Sequence, residues 1–240
     1  MKHDIVIYND VMYRRQVPRA KNPDVGERLL EAAARLLAGH GREAVTARRL
    51  AAEIGTSTMA VYTHFGSMDE LVLRLWREGF ARFGAALDEP SRTDDPVADW
   101  AAQGWAYRRF ALENRHLYRI MFGDGFTAFR AEDPADQAAA AATFAALLQR
   151  LQRAADAGRL VIDDLPLAGQ VVWSMVHGHM TIELTGYFGA TGRDPADAYR
   201  ECLRRLALAF GAGADELARS LAVADTLAVG DRGPGTISRR

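Results

Sequence analysis

Residues 46–71 read TARRLAAEIGTSTMAVYTHFGSMDEL, and this stretch decides the fold. Thr46 stands where a helix N-cap belongs, just before the apolar positions Leu50 and Ile54, and its side-chain oxygen can satisfy an otherwise unpaired backbone N–H. Gly55 follows Ile54, where a helix ends and positive φ is often required. Ser57 is the next capping residue and opens a segment of about two turns, Thr58 to His64. On that segment Val61 and Phe65 are four apart and share one buried face, which leaves Thr58, Met59, Tyr62 and Thr63 pointing away from it. Ser67 to Glu70 matches the S-x-x-E capping box that starts a further helix. Three helix starts in so short a stretch predict a helix-turn-helix, whose second helix enters the DNA major groove.

Working outward, Asp24 to Gly39 predicts a first helix, with Val25, Leu29, Ala32, Leu36 and Leu37 as its apolar stripe. The fourth helix begins at Ser67 and carries Leu71, Leu75 and Phe80 toward Leu87. EPSRTDDP at 89–96 is a loop: two prolines, charges and no apolar residue. Beyond it the pattern is helical throughout. Trp100, Gly104, Tyr107 and Ala111 lie on one stripe of a helix ending near Glu113. Asn114 is positioned to cap the next, which holds Leu117, Tyr118, Met121 and Phe122. Gly123 to Asp133 reads as a loop with Phe126 and Phe129. Pro134 to Ala157 reads as an Ala-rich helix carrying Phe144 and Leu151, stopped by Gly158. Leu165 to Phe188 is the most apolar helix, and apolar residues on nearly every side predict burial all round. Asp194-Pro195 pairs a cap with Pro at the first helical position. The helix it opens carries Leu203, Leu206 and Phe210. Asp215 to Val223 reads as a short terminal helix.

The fold class expected is all-α: an N-terminal three-helix helix-turn-helix domain (24–70) plus a larger C-terminal helical bundle (71–224). A basic extension (1–23) precedes them and a disordered tail (225–240) follows. IVIY at 5–8 has the composition of a short strand. Arg14, Arg15, Arg19 and Lys21 suit either an arm on DNA or a disordered leader.

Composition narrows the function. The 240 residues are 49 % hydrophobic and 25 % charged, with formal net charge −1, so no global polyanion signal exists. Residues 1–65 nevertheless hold ten basic against seven acidic side chains, a mild bias that fits phosphate contact. The single cysteine, Cys202, excludes an internal disulfide and reads as a small core residue. The N-terminus lacks the features of a signal peptide, and no apolar run is long enough for a membrane span, so a cytoplasmic location is expected. There is no Gly-rich phosphate loop, nucleophile elbow or HExxH. His177 and His179 point in different directions on a helix. His179 and Glu183, four apart, fit a hydrogen-bonded pair better than a metal site. No enzyme activity, metal or cofactor is expected.

Residues 25–75 resemble the DNA-binding domain of the TetR family of bacterial transcriptional repressors. The resemblance rests on RLLEAAARLLAGHG, VTARRLAAEIGTS and VYTHFGSMDEL, most specifically Tyr62-x-His64-Phe65 followed by Leu71. This chain departs from the family at Met68, where Lys is usual, and at Thr56, where Val is usual. The stretch Trp173 to Gly178, with Glu183-Leu184 downstream, is similar to the Trp-His-Gly type of C-terminal domain in that family. The resemblance implies a homodimer, built from a four-helix bundle of roughly 165–189 and 195–212 and their copies. It also implies a double-stranded DNA operator of pseudo-palindromic form and a small-molecule effector. The 67–88 helix would be the connector that transmits ligand state. The DNA-facing set is then Thr46, Arg48, Thr56, Ser57, Thr58, Met59, Tyr62, Thr63 and His64. Thr46, Tyr62 and His64 are assigned mainly to phosphates, and Thr58, Met59 and Thr63 mainly to base edges. The aromatic and Met residues Trp105, Phe110, Tyr118, Met121, Phe122, Phe144, Trp173, Met175 and His177 are the candidates to line a site for an apolar or aromatic ligand, with His177 as polar anchor. Two other readings stay open: a helix-turn-helix that binds protein rather than DNA, and a ligand-binding helical bundle with weak or no DNA affinity.

Overall fold

Side-chain caps set where most of the helices begin. The computed structural model describes residues 23–123 and 133–230, in which ten α-helices and no strand occur. Helix α1 is Pro23–His40, α2 Ala47–Ile54, α3 Thr58–Phe65 and α4 Met68–Asp88. Thr46 Oγ1 accepts from the Arg49 N–H at 3.3 Å, Ser57 Oγ from Ala60 at 3.2 Å and Ser67 Oγ from Glu70 at 3.0 Å. Gly55 takes φ 69°, ψ 41°, and its turn closes through Thr56 N–H to the Ala51 carbonyl at 2.8 Å. That left-handed conformation is why glycine suits this position. Arg28 on α1 donates to the Ile54 carbonyl at 3.1 Å and so satisfies the end of α2 from a different helix. The core beneath these helices is Leu29, Leu36, Leu37, Leu50, Val61, Phe65, Leu71 and Leu75, all buried.

Helix α4 crosses the expected 70/71 boundary without interruption. Trp76 is fully buried and donates its indole N–H to the Met121 carbonyl at 3.3 Å. Arg77 pairs with Asp136 at 2.6 and 2.9 Å and with Asp133 at 3.2 Å. These links pin α4 to the helices that follow: α5 (Pro96–Glu113), α6 (Arg115–Phe122), α7 (Pro134–Asp156), α8 (Leu165–Leu184), α9 (Pro195–Ala209) and α10 (Ala214–Gly230). Helix α5 is central, packed by α4, α7, α8, α9 and α10. Buried Asp99 on α5 organises the preceding loop. Its carboxylate accepts from Thr93 N–H and Oγ1 and pairs with Arg153 of α7.

The structure corrects several expectations. Helix α8 stops at Leu184 rather than Phe188, because Gly186 takes φ 76° and a short 3₁₀ turn, Tyr187–Thr191, follows. Nor is α8 buried all round: Leu167, Val171, Met175 and Ile182 remain exposed on its outer face. The terminal helix is longer than expected. It runs to Gly230, past the expected start of the tail at 225, and is held by Arg159–Ser220 (3.0 Å), Ser220–Asp95 (2.6 Å) and Arg200–Asp225 (3.2 Å). Asn114 does not cap α6. Its amide donates backward to the Phe110 carbonyl at 3.1 Å and so closes α5. The expected arm and strand before residue 23, the loop aromatics Phe126 and Phe129, and the tail beyond Gly230 lie outside the described residues.

Candidate nucleic-acid interface and ligand cavity

Helix α3 turns Val61 and Phe65 inward and leaves the opposite face free. Met59 is 70 % and Tyr62 46 % exposed, with Thr58 and Thr63 exposed beside them. The Thr63 hydroxyl donates to the Met59 carbonyl at 2.8 Å, so its methyl is what it offers outward. Thr46 and Ser57 spend their side-chain oxygens on caps but remain exposed at the helix N-termini, where backbone N–H groups favour anions. Arg48 is exposed on α2. Thr56 is half-buried in the turn. His64 is also half-buried, and its ring packs on α1: a Cβ at Gly26 would lie 3.0 Å from His64 Nδ1. The nine residues named from sequence thus lie on α2, α3, their caps and the turn between them, with His64 turned against α1. Arg49, exposed next to Arg48, extends the same surface; its place at the third position of a capped helix was the available signal.

The C-terminal helices enclose two adjoining spaces. The first is an apolar cavity of about 50 Å³ between α4, α5, α7, α8 and α9, with Phe83, Tyr107, Phe144, Leu147, Val172 and Trp173 among its walls. The second is a cleft of about 130 Å³ between α6 and α8, lined by Tyr118, Phe122, His177 and Thr181. Their common wall is a polar cluster set in aromatic rings. Tyr107 and Tyr118 hydroxyls lie 2.8 Å apart, and His177 Nδ1 is 2.7 Å from Tyr118 and 3.2 Å from Tyr107. The His177 ring stacks on Trp173, centroids 4.9 Å apart, and meets Phe122 edge-on at 5.0 Å. Burial lowers the His177 pKa, so the ring is neutral near pH 7. Burial also raises the pKa of both tyrosines, which therefore stay protonated. In the tautomer whose Nδ1 accepts from a tyrosine hydroxyl, Nε2 carries the ring proton as a donor.

Five of the nine residues named for the ligand site line these spaces: Phe144 and Trp173 the cavity, Tyr118, Phe122 and His177 the cleft. The other four line neither space. Trp105 faces Tyr199 (5.2 Å) and the guanidinium groups of Arg108 and Arg200. Phe110 packs on Phe83 at 5.1 Å in the core. Met121 is fully buried against Gly79 of α4. Met175 points outward from α8. Sequence reasoning missed Tyr107, Gln103 and Val172. Tyr107 was visible as part of the α5 stripe, but nothing in the pattern said that its hydroxyl meets His177. His179 Nε2 lies 3.3 Å from Glu183 Oε2, and the carboxylate is bidentate to Arg108 at 3.0 and 2.5 Å, so Glu183 is committed to an ion pair with Arg108 beside a neutral His179. No group of side chains suited to hold a metal occurs among the described residues. No helix among them is long and apolar enough to cross a membrane.

Comparison with known proteins agrees with this architecture. Residues 29–75 match the family described as bacterial regulatory proteins, tetR family, and residues 100–206 match the tetracyclin repressor-like C-terminal domain. The HTH-type transcriptional repressor AcnR of Corynebacterium diphtheriae is 29 % identical over 187 residues, covering 74 % of this chain and 89 % of that protein. AcnR of Corynebacterium glutamicum is 41 % identical over 63 residues, 26 % of this chain and 34 % of that protein. Among solved structures, a protein from Rhodococcus sp. RHA1 superposes with TM-score 0.63 at 24 % identity, covering 89 % of this chain and 98 % of that one. RolR in complex with resorcinol superposes with TM-score 0.56 at 20 % identity over 90 % and 97 % of the two chains. This chain belongs to the TetR family of bacterial transcriptional regulators.

Proposed function

We propose that this protein is a homodimeric, ligand-responsive transcriptional repressor that binds a pseudo-palindromic operator. The observation that carries the reading is the exposed α3 face, Thr58, Met59, Tyr62 and Thr63, held outward by the core beneath it and joined by exposed Arg48 and Arg49 on α2. Thr46, Thr56, Ser57, Tyr62 and His64 are assigned to backbone contacts around that face. Family membership does not favour a protein-binding module or a ligand-binding bundle without DNA affinity. Selection of bound duplexes from a random library tests the reading. Recovery of a two-fold symmetric motif, bound with steep salt dependence, is expected. No motif, and no binding even at low salt, would overturn it.

The dimer is proposed through α8 and α9. The exposed apolar stripe on α8 supports this, as does Gly178 within it, where an added Cβ would meet nothing within 4 Å. The effector is proposed to be apolar or aromatic, with a hydrogen-bond acceptor that meets His177. The cavity and cleft are smaller than the ~300 Å³ of ordinary ligand sites, so binding requires their shared wall to open. Trp173 lines the cavity and stacks on His177 within that wall. Opening would press on Phe83 and Leu87 of α4, the helix that also abuts α1 and α3. Ligand and DNA affinities would then be coupled reciprocally. His177→Ala or Trp173→Ala should retain folding and operator binding and lose release by a small aromatic molecule that releases the parent protein; unaltered release rejects the role of that residue.

A further inference from the structure

On the proposed reading of α3 as the recognition helix, its chemistry restricts what it can read. The helix is TMAVYTHF. It carries no Arg, Lys, Asn, Gln, Asp or Glu, the side chains that make the strong paired or single hydrogen bonds to base edges in the major groove. Part of the polar chemistry at this helix is already committed within the protein, the Thr58 and Tyr62 hydroxyls excepted. Thr63 Oγ1 bonds the Met59 carbonyl at 2.8 Å, and the capping Ser57 Oγ holds the Ala60 N–H at 3.2 Å. The His64 ring packs against Gly26 of α1. What the N-terminal, groove-entering end presents is apolar: the Met59 side chain, 70 % exposed, and the threonine methyls at 58 and 63 beside it. Positions 59 and 63 are neighbours one turn apart on the same side, as their hydrogen bond shows. A lone exposed Met needs no explanation on an ordinary surface. Here it stands at the position where base contacts are made, with no guanidinium, amine, amide or carboxylate on the same helix beside it.

The one apolar group on a base edge in the major groove is the C5-methyl of thymine. We propose that Met59, flanked by the methyls of Thr58 and Thr63, selects operator half-sites through thymine C5-methyl groups, and that apolar contact is the main direct readout by α3. Specificity then comes from methyl burial, while Arg48, Arg49 and Tyr62 hold the backbone. The readout is independent of the effector and of the cavity.

The experiment uses the full-length protein and the duplex recovered by selection. Each thymine is replaced in turn by deoxyuridine, which removes the methyl and leaves pairing and phosphates intact. At the thymine that meets Met59, binding should weaken about four-fold per half-site, the worth of burying one methyl-sized group, and about fifteen-fold when both half-sites are changed. The slope of affinity against salt should not move, because no phosphate contact is lost. Met59→Ala should abolish the deoxyuridine penalty and Met59→Leu should keep it; the exposed position makes both variants fold as the parent does, which thermal melts check. Binding that is indifferent to every deoxyuridine overturns the proposal while leaving DNA binding itself intact. A penalty that persists undiminished in Met59→Ala overturns the role of Met59. Failure of the parent protein to bind any duplex is a different result: it removes the DNA reading, and this inference with it.

Discussion

Replacing Met175 by Arg should convert the proposed dimer to a monomer. Met175 lies midway along the outward stripe of α8, Leu167, Val171, Met175 and Ile182, whose members are between 39 and 54 % exposed. Fully burying such a side chain contributes about 1.5–3 kcal/mol, so covering the remaining half contributes roughly 1 kcal/mol each. Four residues on each of two protomers then supply roughly 8 kcal/mol, set against an association cost of about 4–15 kcal/mol. In the proposed dimer the stripe would therefore be a large part of what holds the pair, with little margin left. An Arg at 175 removes about 1 kcal/mol of apolar contact and brings an unpaired ion whose desolvation costs several kcal/mol. The arginine stem can carry the charge partly to the rim, which lowers that penalty. A net loss of about 3 kcal/mol per protomer, or about 6 per dimer, raises the dimer Kd roughly 10⁴-fold. Sedimentation velocity across a concentration series measures it, with Ala139→Arg, at an exposed position of α7, as the charge control. The monomer should keep its helix content and lose affinity for a two-half-site duplex far more than for a single half-site. A Met175→Arg protein that dimerises within ten-fold of the parent refutes the assignment of this face.

Further outcomes follow from the same structure. Gly55→Ala places a Cβ at φ 69° and should cost about 1–2 kcal/mol, the reverse of the usual helical benefit of Ala; denaturant melts read it directly. Asp99→Asn removes a buried carboxylate's pairing with the part-exposed Arg153, which keeps the Thr93 carbonyl, and should cost about 2 kcal/mol, lowering Tm by roughly 4–8 °C. Arg48→Ala and Arg49→Ala should each reduce the slope of log K against log salt by about 1 without changing the selected motif. Burial holds His177 below its ordinary pKa, as it does His179 and His116, so the unfolded chain binds more protons than the native one. Stability is therefore full above the unfolded histidine pKa of ~6.5 and falls as pH drops through it. His177→Gln should reduce the loss of Tm between neutral and mildly acid pH; an unchanged loss excludes His177 as a contributor.

The sequence by itself determined where the N-terminal helices begin and turn. Thr46, Ser57 and Ser67 cap three helices because a side-chain oxygen two or three residues ahead of an unpaired N–H is a local arrangement, complete within four residues of chain. Gly55 marks the turn for the same local reason. The all-α class and the inward face of α3 followed from spacing alone, since residues four apart share one side of a helix. Tertiary structure decided what periodicity does not encode: which partner a face meets. On α5, one residue is 100° of rotation, and that separates Gly104 in the cavity wall from Trp105, which lies against Arg108 and Arg200. On α8, an all-round apolar pattern is the same whether the outer side meets another helix of the chain or lies open, as Met175 does. The Tyr107–Tyr118–His177 cluster joins three helices across as many as 70 positions of sequence. The full length of α10 depends on Ser220 reaching Asp95 and on Asp225 reaching Arg200. Caps, turns and faces are set by neighbours in the chain; a cavity and an open surface are set by neighbours in space, which only the packed helices bring together.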